Sequence, residues 1–106
     1  MAEQLIATVF SQSTPLPGQK NRSSGNFSTE FLPPGTLYLK WIITGGGDPD
    51  IISFNVMKDV SAGTDPVIFS GVLSGNRTNV VSERSLYIAN PKNALDPFTV
   101  SVYAIY

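Results

Sequence analysis

Short apolar runs alternate with turn-forming clusters along the whole chain. The runs cover residues 4–11, 27–31, 36–44, 50–58, 66–73, 78–81, 84–90 and 98–106. Runs of this length, separated by Gly, Pro, Asn and Asp, are typical of the strands of a β-sandwich or barrel. In the last run, Phe98, Val100 and Val102 alternate with polar residues, so one face of that strand is expected to be buried. We therefore predict seven or eight strands.

Composition supports the same fold class. Val, Ile, Thr and the aromatic residues total 36, whereas Ala, Leu, Glu, Gln, Lys, Arg and Met total 29, which favours strands over helices. Nine Gly and eight Pro leave few windows long enough for a helix. Residues 86–90 and the run 98–106 resemble the last two strands of small jelly-roll modules. We predict an all-β, antiparallel two-sheet β-sandwich, jelly-roll-like, with seven to eight strands and no long helix.

The chain length and the turn-forming residues between the runs predict the domain organisation and the loops. A chain of 106 residues supports one hydrophobic core, so residues 1–106 are expected to form a single domain. The polar segment with Pro15, Pro17 and Gly18 is the longest break between runs, and we expect a mobile loop at about 12–25. Gly71 stands inside an apolar run and predicts a β-bulge.

Several classes of function are disfavoured by what the sequence lacks. His and Cys are absent, which removes His-based triads, thiol nucleophiles, imidazole or thiolate zinc sites and disulfides. A net charge of -1 gives no basic footprint for nucleic acid. No run approaches the length of a membrane span, and the stretch 5–10 is shorter than a signal-peptide core. We expect no nucleic-acid partner, no membrane insertion, and synthesis in the cytoplasm without a signal peptide, with a virion as one destination.

The carboxylates offer the main candidate for metal or acid–base chemistry. Four of them, Asp48, Asp50, Asp59 and Asp65, lie in loops beside the run 50–58, and Ca²⁺ prefers such oxygen ligands. Their spacing matches no EF-hand loop, and two of them precede Pro as turn formers, so turn capping is the favoured role and no cofactor is expected. A small hydrolase would need a carboxylate pair, for which the sequence offers Glu30 and Glu83. We expect that the protein is not an enzyme.

Tyrosines provide a candidate binding surface. Tyr38, Tyr87 and Tyr103 alternate with the more apolar faces of their strands, so they are expected to be exposed, where an aromatic ring can stack on a sugar. Together with Asp48 and Asp50 of the 45–50 loop, they are the candidate ligand-binding residues. A carbohydrate-binding, lectin-like module with glycan partners is therefore the alternative function.

The leading hypothesis comes from runs that are apolar on both faces. A strand that faces water on one side should alternate apolar and polar residues, but four apolar residues break that rule and are the candidate assembly interface: Ile6, Phe10, Ile42 and Phe69. Only 14% of the residues are charged, against roughly 25% in typical soluble domains, and so much apolar surface with so little charge favours association. We expect a non-catalytic structural protein, either a homo-oligomer or a subunit decorating or joining a larger particle such as a phage or viral capsid or tail.

Overall fold

A computed structural model describes residues 1–19 and 21–106, and these residues form seven strands and no helix. The strands are β1 (Glu3–Ser11), β2 (Tyr38–Gly45), β3 (Ser53–Lys58), β4 (Val67–Leu73), β5 (Arg77–Thr78), β6 (Leu86–Lys92) and β7 (Phe98–Ile105). Within this described part of the chain, no helix could therefore cross a membrane.

Two antiparallel sheets contain all seven strands. One sheet has the order β1-β7-β2-β5 and the other has the order β4-β3-β6. The predicted all-β, two-sheet sandwich without a long helix is confirmed.

The strands pair as in a jelly roll: strands near the start of the chain pair with strands near its end, and the pairing continues inward to the strands in the middle of the chain. β1 pairs with the last strand β7, β2 pairs with β5, and β3 pairs with β4. β6 has an outside partner in residues 22–27, through bridges from Arg22 to Ala89 and from Phe27 to Leu86. This segment occupies the position of an eighth strand.

The core lies between the sheets and is built by alternation along β2, β3 and β7. Alternate residues are buried along most of these strands, including Leu39, Trp41, Phe54, Val56, Val100 and Val102. Trp41 is at the centre, and the rings of Phe27, Phe54 and Phe69 approach it edge-on with centroids 6.0 to 6.2 Å away. Its indole N–H donates to the Thr78 hydroxyl at 2.9 Å, so the one polar atom of this ring is paired.

The prediction of a regular strand over 27–31 is wrong. Phe27 pairs with Leu86 and packs against the core, but the chain then leaves β6. The Thr29 hydroxyl donates to the Val81 carbonyl at 2.6 Å, so this segment bonds to a neighbouring loop rather than to a sheet. Phe31 was expected to share a face with Phe27 but is 84% exposed.

β-bulges change which side chains face the core. In β1 the register shifts between Leu5 and Ala7, so Ile6 is an extra residue. In β4 the predicted bulge at Gly71 is confirmed: Phe54 and Val56 of β3, two residues apart, oppose residues three apart on β4. Gly71 has φ +63°, a conformation that glycine adopts without steric cost.

The segment expected to be mobile is hydrogen-bonded at both ends. Gln12 N–H donates to the Ser23 carbonyl at 2.8 Å, and Thr14 N–H donates to the Ala94 carbonyl at 2.9 Å. Ser23 N–H donates in turn to the Ile88 carbonyl at 2.9 Å, and Ser23 is buried. Mobility of 12–25 stays a prediction, and any motion must accommodate these bonds.

Candidate functional site

The four-stranded sheet is the broader of the two sheets, and its side that faces away from the core is here called the outer face. Cross-strand pairing arranges its central side chains in three rows. The rows are Phe10–Thr99–Thr44, then Thr8–Ser101–Ile42, and finally Leu5–Tyr103–Lys40.

The outer face is apolar and weakly charged. Phe10 is 74% exposed and Leu5 is 50% exposed, and Ser and Thr hydroxyls fill the spaces between the apolar side chains. Charge is confined to one corner, where Lys40 forms an ion pair with Glu3 at 2.7 Å. At the other end of the face, a groove of about 400 Å³ runs beside Phe10 and over Pro97. Large exposed apolar side chains on a flat sheet are the usual mark of a contact surface.

Two of the four predicted interface residues lie on this face. Phe10 and Ile42 belong to it, whereas Ile6 and Phe69 pack against the core. The bulge at Ile6 turns Leu5 outward in its place, and the bulge at Gly71 turns Phe69 inward against Trp41. The expected outward orientation of Ile6 and Phe69 is therefore wrong, because one extra residue reverses the alternation of a strand.

All three candidate tyrosines have a cation over the ring. The Arg77 guanidinium lies 4.6 Å from the Tyr38 centroid, and Lys40 Nζ lies 5.5 Å from the Tyr103 centroid. The Arg22 guanidinium lies 4.1 Å from the Tyr87 centroid. These cation–π contacts occupy one face of each ring, the same surface that a stacked sugar would need.

Tyr87 is the centre of a polar cluster on the opposite sheet. It is only 6% exposed, so its predicted exposure is wrong. Its hydroxyl donates to Asp65, and burial together with this bond raises the pKa of Tyr87 to about 12. The same bond, with a second from the Val60 N–H, lowers the pKa of Asp65.

Arg22 extends this cluster to a second loop. Besides covering the Tyr87 ring, it pairs with Asp59 at 3.2 Å and donates to the Asn26 side chain. The cluster holds the segment around Arg22 and the 59–65 loop on one sheet face. Sequence reasoning missed this role of Arg22, because no local signal joins residues 37 positions apart.

The predicted ligand residues do not form one site. Tyr38 begins β2 and the loop with Asp48 and Asp50 follows its end, about 20 Å away at roughly 3.3 Å per strand residue. Tyr87 lies in the other sheet. Asp48 accepts the Asp50 N–H at 3.1 Å, which is the turn-capping geometry.

The other carboxylates also have local partners. Among the described residues, no three acidic side chains converge in a way that could hold a metal ion. The segments with Glu30 and Glu83 do lie side by side, since Thr29 N–H donates to the Glu83 carbonyl at 2.9 Å, an adjacency that the sequence did not reveal. Their carboxylates pair with Arg84 and Lys58, respectively.

No protein-family model, curated protein or solved structure matches the chain.

Proposed function

We propose that this protein is a non-catalytic structural subunit that assembles with copies of itself through the outer face. The observation that carries the proposal is the exposure of Phe10 and Leu5 beside Ile42 and Tyr103 on one sheet surface. A larger protein lattice, such as a phage or viral capsid or tail, is the setting in which such a subunit would serve.

The physical argument rests on burial of apolar surface. Covering a Phe or Leu side chain contributes roughly 1.5–3 kcal/mol when it becomes fully buried, and Phe10 has 74% of its surface left to cover. The hydroxyls of Thr8, Thr44 and Ser101 can be covered at little cost, provided that they find hydrogen-bond partners across the contact.

The chemistry of the remaining surface supports a structural role. Four ion pairs, Arg22–Asp59, Lys40–Glu3, Lys58–Glu83 and Arg84–Glu30, engage most of the described charges. Jelly rolls occur in capsid subunits and in lectins. This is an analogy of fold, and function depends on the site, which here is an apolar surface.

Two phenylalanines provide a matched experiment. Phe10→Ser removes an exposed ring from the outer face, and Phe31→Ser removes a ring of 84% exposure that lies in no strand. Sedimentation velocity or native mass spectrometry should show oligomers for the wild type and for Phe31→Ser, with a dissociation constant at least tenfold larger for Phe10→Ser. A wild type that stays at 11.4 kDa up to millimolar concentration would overturn the proposal.

A further inference from the structure

The edges of the two sheets differ in whether other segments of the chain cover them. The outer edge of β6 is covered by residues 22–27, and the outer edge of β2 is covered by residues 74–78, with Gly75 N–H donating to the Trp41 carbonyl at 2.7 Å. β4 is interrupted by two register shifts, which blunt an edge. β1 is the longest strand, with nine residues, and forms one edge of the four-stranded sheet, whose other edge is the two-residue strand β5.

The outward backbone groups of β1 can be identified from its pairing with β7. Ala2 and Tyr106 exchange both of their backbone hydrogen bonds, at 2.6 and 2.9 Å. In an antiparallel pair the direction alternates from one residue to the next, so the N–H and C=O of Glu3 and Leu5 point away from β7. Beyond the bulge at Ile6, the same alternation along β7 turns Thr8 and Phe10 outward.

Apart from its bulge at Ile6, this edge lacks most of the features that protect edge strands from pairing. It contains no Lys, no Pro and one charge, Glu3, at its first residue, whereas natural edges are commonly blocked by charged residues or by Pro. Leu5, Thr8 and Phe10 are exposed. Backbone pairing reaches the outer side of β1 at Ser11, which bridges to Ser24, and residues 25–27 line a hollow of about 210 Å³ beside Thr8, Val9 and Phe10. Among the described residues, no backbone hydrogen bond reaches the outer side of β1 from Glu3 to Thr8.

The bulge is compatible with pairing to a second copy because it is matched by symmetry. If Leu5 lies opposite Thr8 of the partner subunit, then Thr8 lies opposite the partner's Leu5, and the two bulges face each other at the two-fold axis. The same register places Glu3 opposite the partner's Phe10. All outward residues are then opposite outward residues, as an isologous contact requires.

We propose that β1 pairs antiparallel with β1 of a second copy, centred between Leu5 and Thr8. This inference rests on the proposed function, self-assembly of the subunit, and adds a contact at the sheet edge to the contact through the outer face. The pairing joins two four-stranded sheets into one sheet of eight strands with the order β5-β2-β7-β1-β1-β7-β2-β5. Their outer faces become one surface, and Phe10 of each subunit lies beside the joint.

The test separates pairing at the edge from contact through the face. Thr8→Pro removes an N–H that points away from β7, and Thr8→Lys keeps the backbone while placing a charge at the joint. Thr44→Lys is the matched control, since Thr44 is also exposed on the outer face but belongs to β2. Dissociation constants from sedimentation equilibrium are compared, with circular dichroism to show that each variant is folded.

The expected result is a dissociation constant at least tenfold larger for both Thr8 variants than for Thr44→Lys. In wild-type protein the amides of Leu5 and Thr8 should exchange slowly with solvent at high concentration and quickly on dilution. If Thr44→Lys, Thr8→Lys and Phe10→Ser weaken assembly to similar extents while Thr8→Pro does not, edge pairing is wrong and the proposed function stands. A wild type that is monomeric at all concentrations overturns both.

Discussion

The bond between Tyr87 and Asp65 gives the most direct test of how the polar cluster stabilises the fold. Tyr87→Phe removes one hydroxyl and leaves the ring in place under Arg22. A hydrogen bond contributes about 0.5–1.5 kcal/mol when both partners are neutral and about 1.5–3 kcal/mol when one is charged. Because water can replace the donor at Asp65, we expect a value between the two, about 1–2 kcal/mol. For a chain of this length, this lowers Tm by about 4–9 °C.

The pH dependence gives this prediction its sign. The folded-state pKa of Asp65 is lowered by the Tyr87 bond, so its contribution is present above the ordinary value of 3.8 and is lost as pH falls through the lowered pKa. The pKa of Tyr87 is raised to about 12 from 10, so its contribution is complete below pH 10 and is lost between pH 10 and 12. The free energy of unfolding of the wild type should therefore exceed that of Tyr87→Phe by a constant amount from pH 5 to pH 9.

Urea unfolding at pH 7 and at pH 3 measures this difference, with Tyr103→Phe as the control for removing a hydroxyl from a half-buried ring. We expect Tyr103→Phe to change stability by less than about 0.5 kcal/mol, as is usual for surface changes. In an Asp65→Ala background, Tyr87→Phe should have little further effect. An undiminished effect of Tyr87→Phe in that background would refute the assignment of the stabilisation to this bond.

Three further predictions concern the core and the strand order. Gly46→Ala should lower the free energy of unfolding in urea by about 2–4 kcal/mol, because the new Cβ would lie 2.3 Å from Ile52 Cδ1 and the residue has φ +75°. Gly18→Ala is the control: with φ +87° but open space around the new Cβ, it should lower the free energy of unfolding by about 1–2 kcal/mol. Trp41→Ala should cost about 3–5 kcal/mol by the same measurement, and a smaller loss would show that the surrounding rings collapse into the cavity. Deleting residues 102–106 truncates β7, which lies between β1 and β2, so calorimetry should show no cooperative transition; a transition near that of the full chain would contradict this.

The strands with regular alternation were predictable from sequence, and those with bulges were not. Along β2 and β7, Trp41 and Val102 occupy the buried face that their spacing indicated. In β1, regular alternation predicted that Ile6 points outward. The bulge at Ile6 could not be recognised from the sequence, because the residues on both sides of it are apolar as well. At Gly71 the glycine did signal the bulge, but its effect on Phe69 depends on pairing with β3.

The candidate site also contains residues that were predictable from the sequence and residues that were not. Phe10 and Ile42 were identified from apolar residues on both faces of a strand, and they do share the outer face. Tyr87 was expected to be exposed because it alternates with Leu86 and Ile88, yet the 59–65 loop and Arg22 cover it. Coverage of a side chain by a distant loop depends on tertiary contacts, and the alternation of apolar and polar residues along one strand does not predict those contacts.

The fold class follows from the amino-acid sequence alone, because β-branched and aromatic residues with frequent Gly and Pro leave strands as the only elements that can bury this much apolar surface. The sequence also shows that His and Cys chemistry is absent. The exposure of particular apolar residues, and the accessibility of each sheet edge, become known from the folded chain. Those properties depend on strand register and on loops that cover one edge and leave another, and both are set by contacts between residues far apart in the chain.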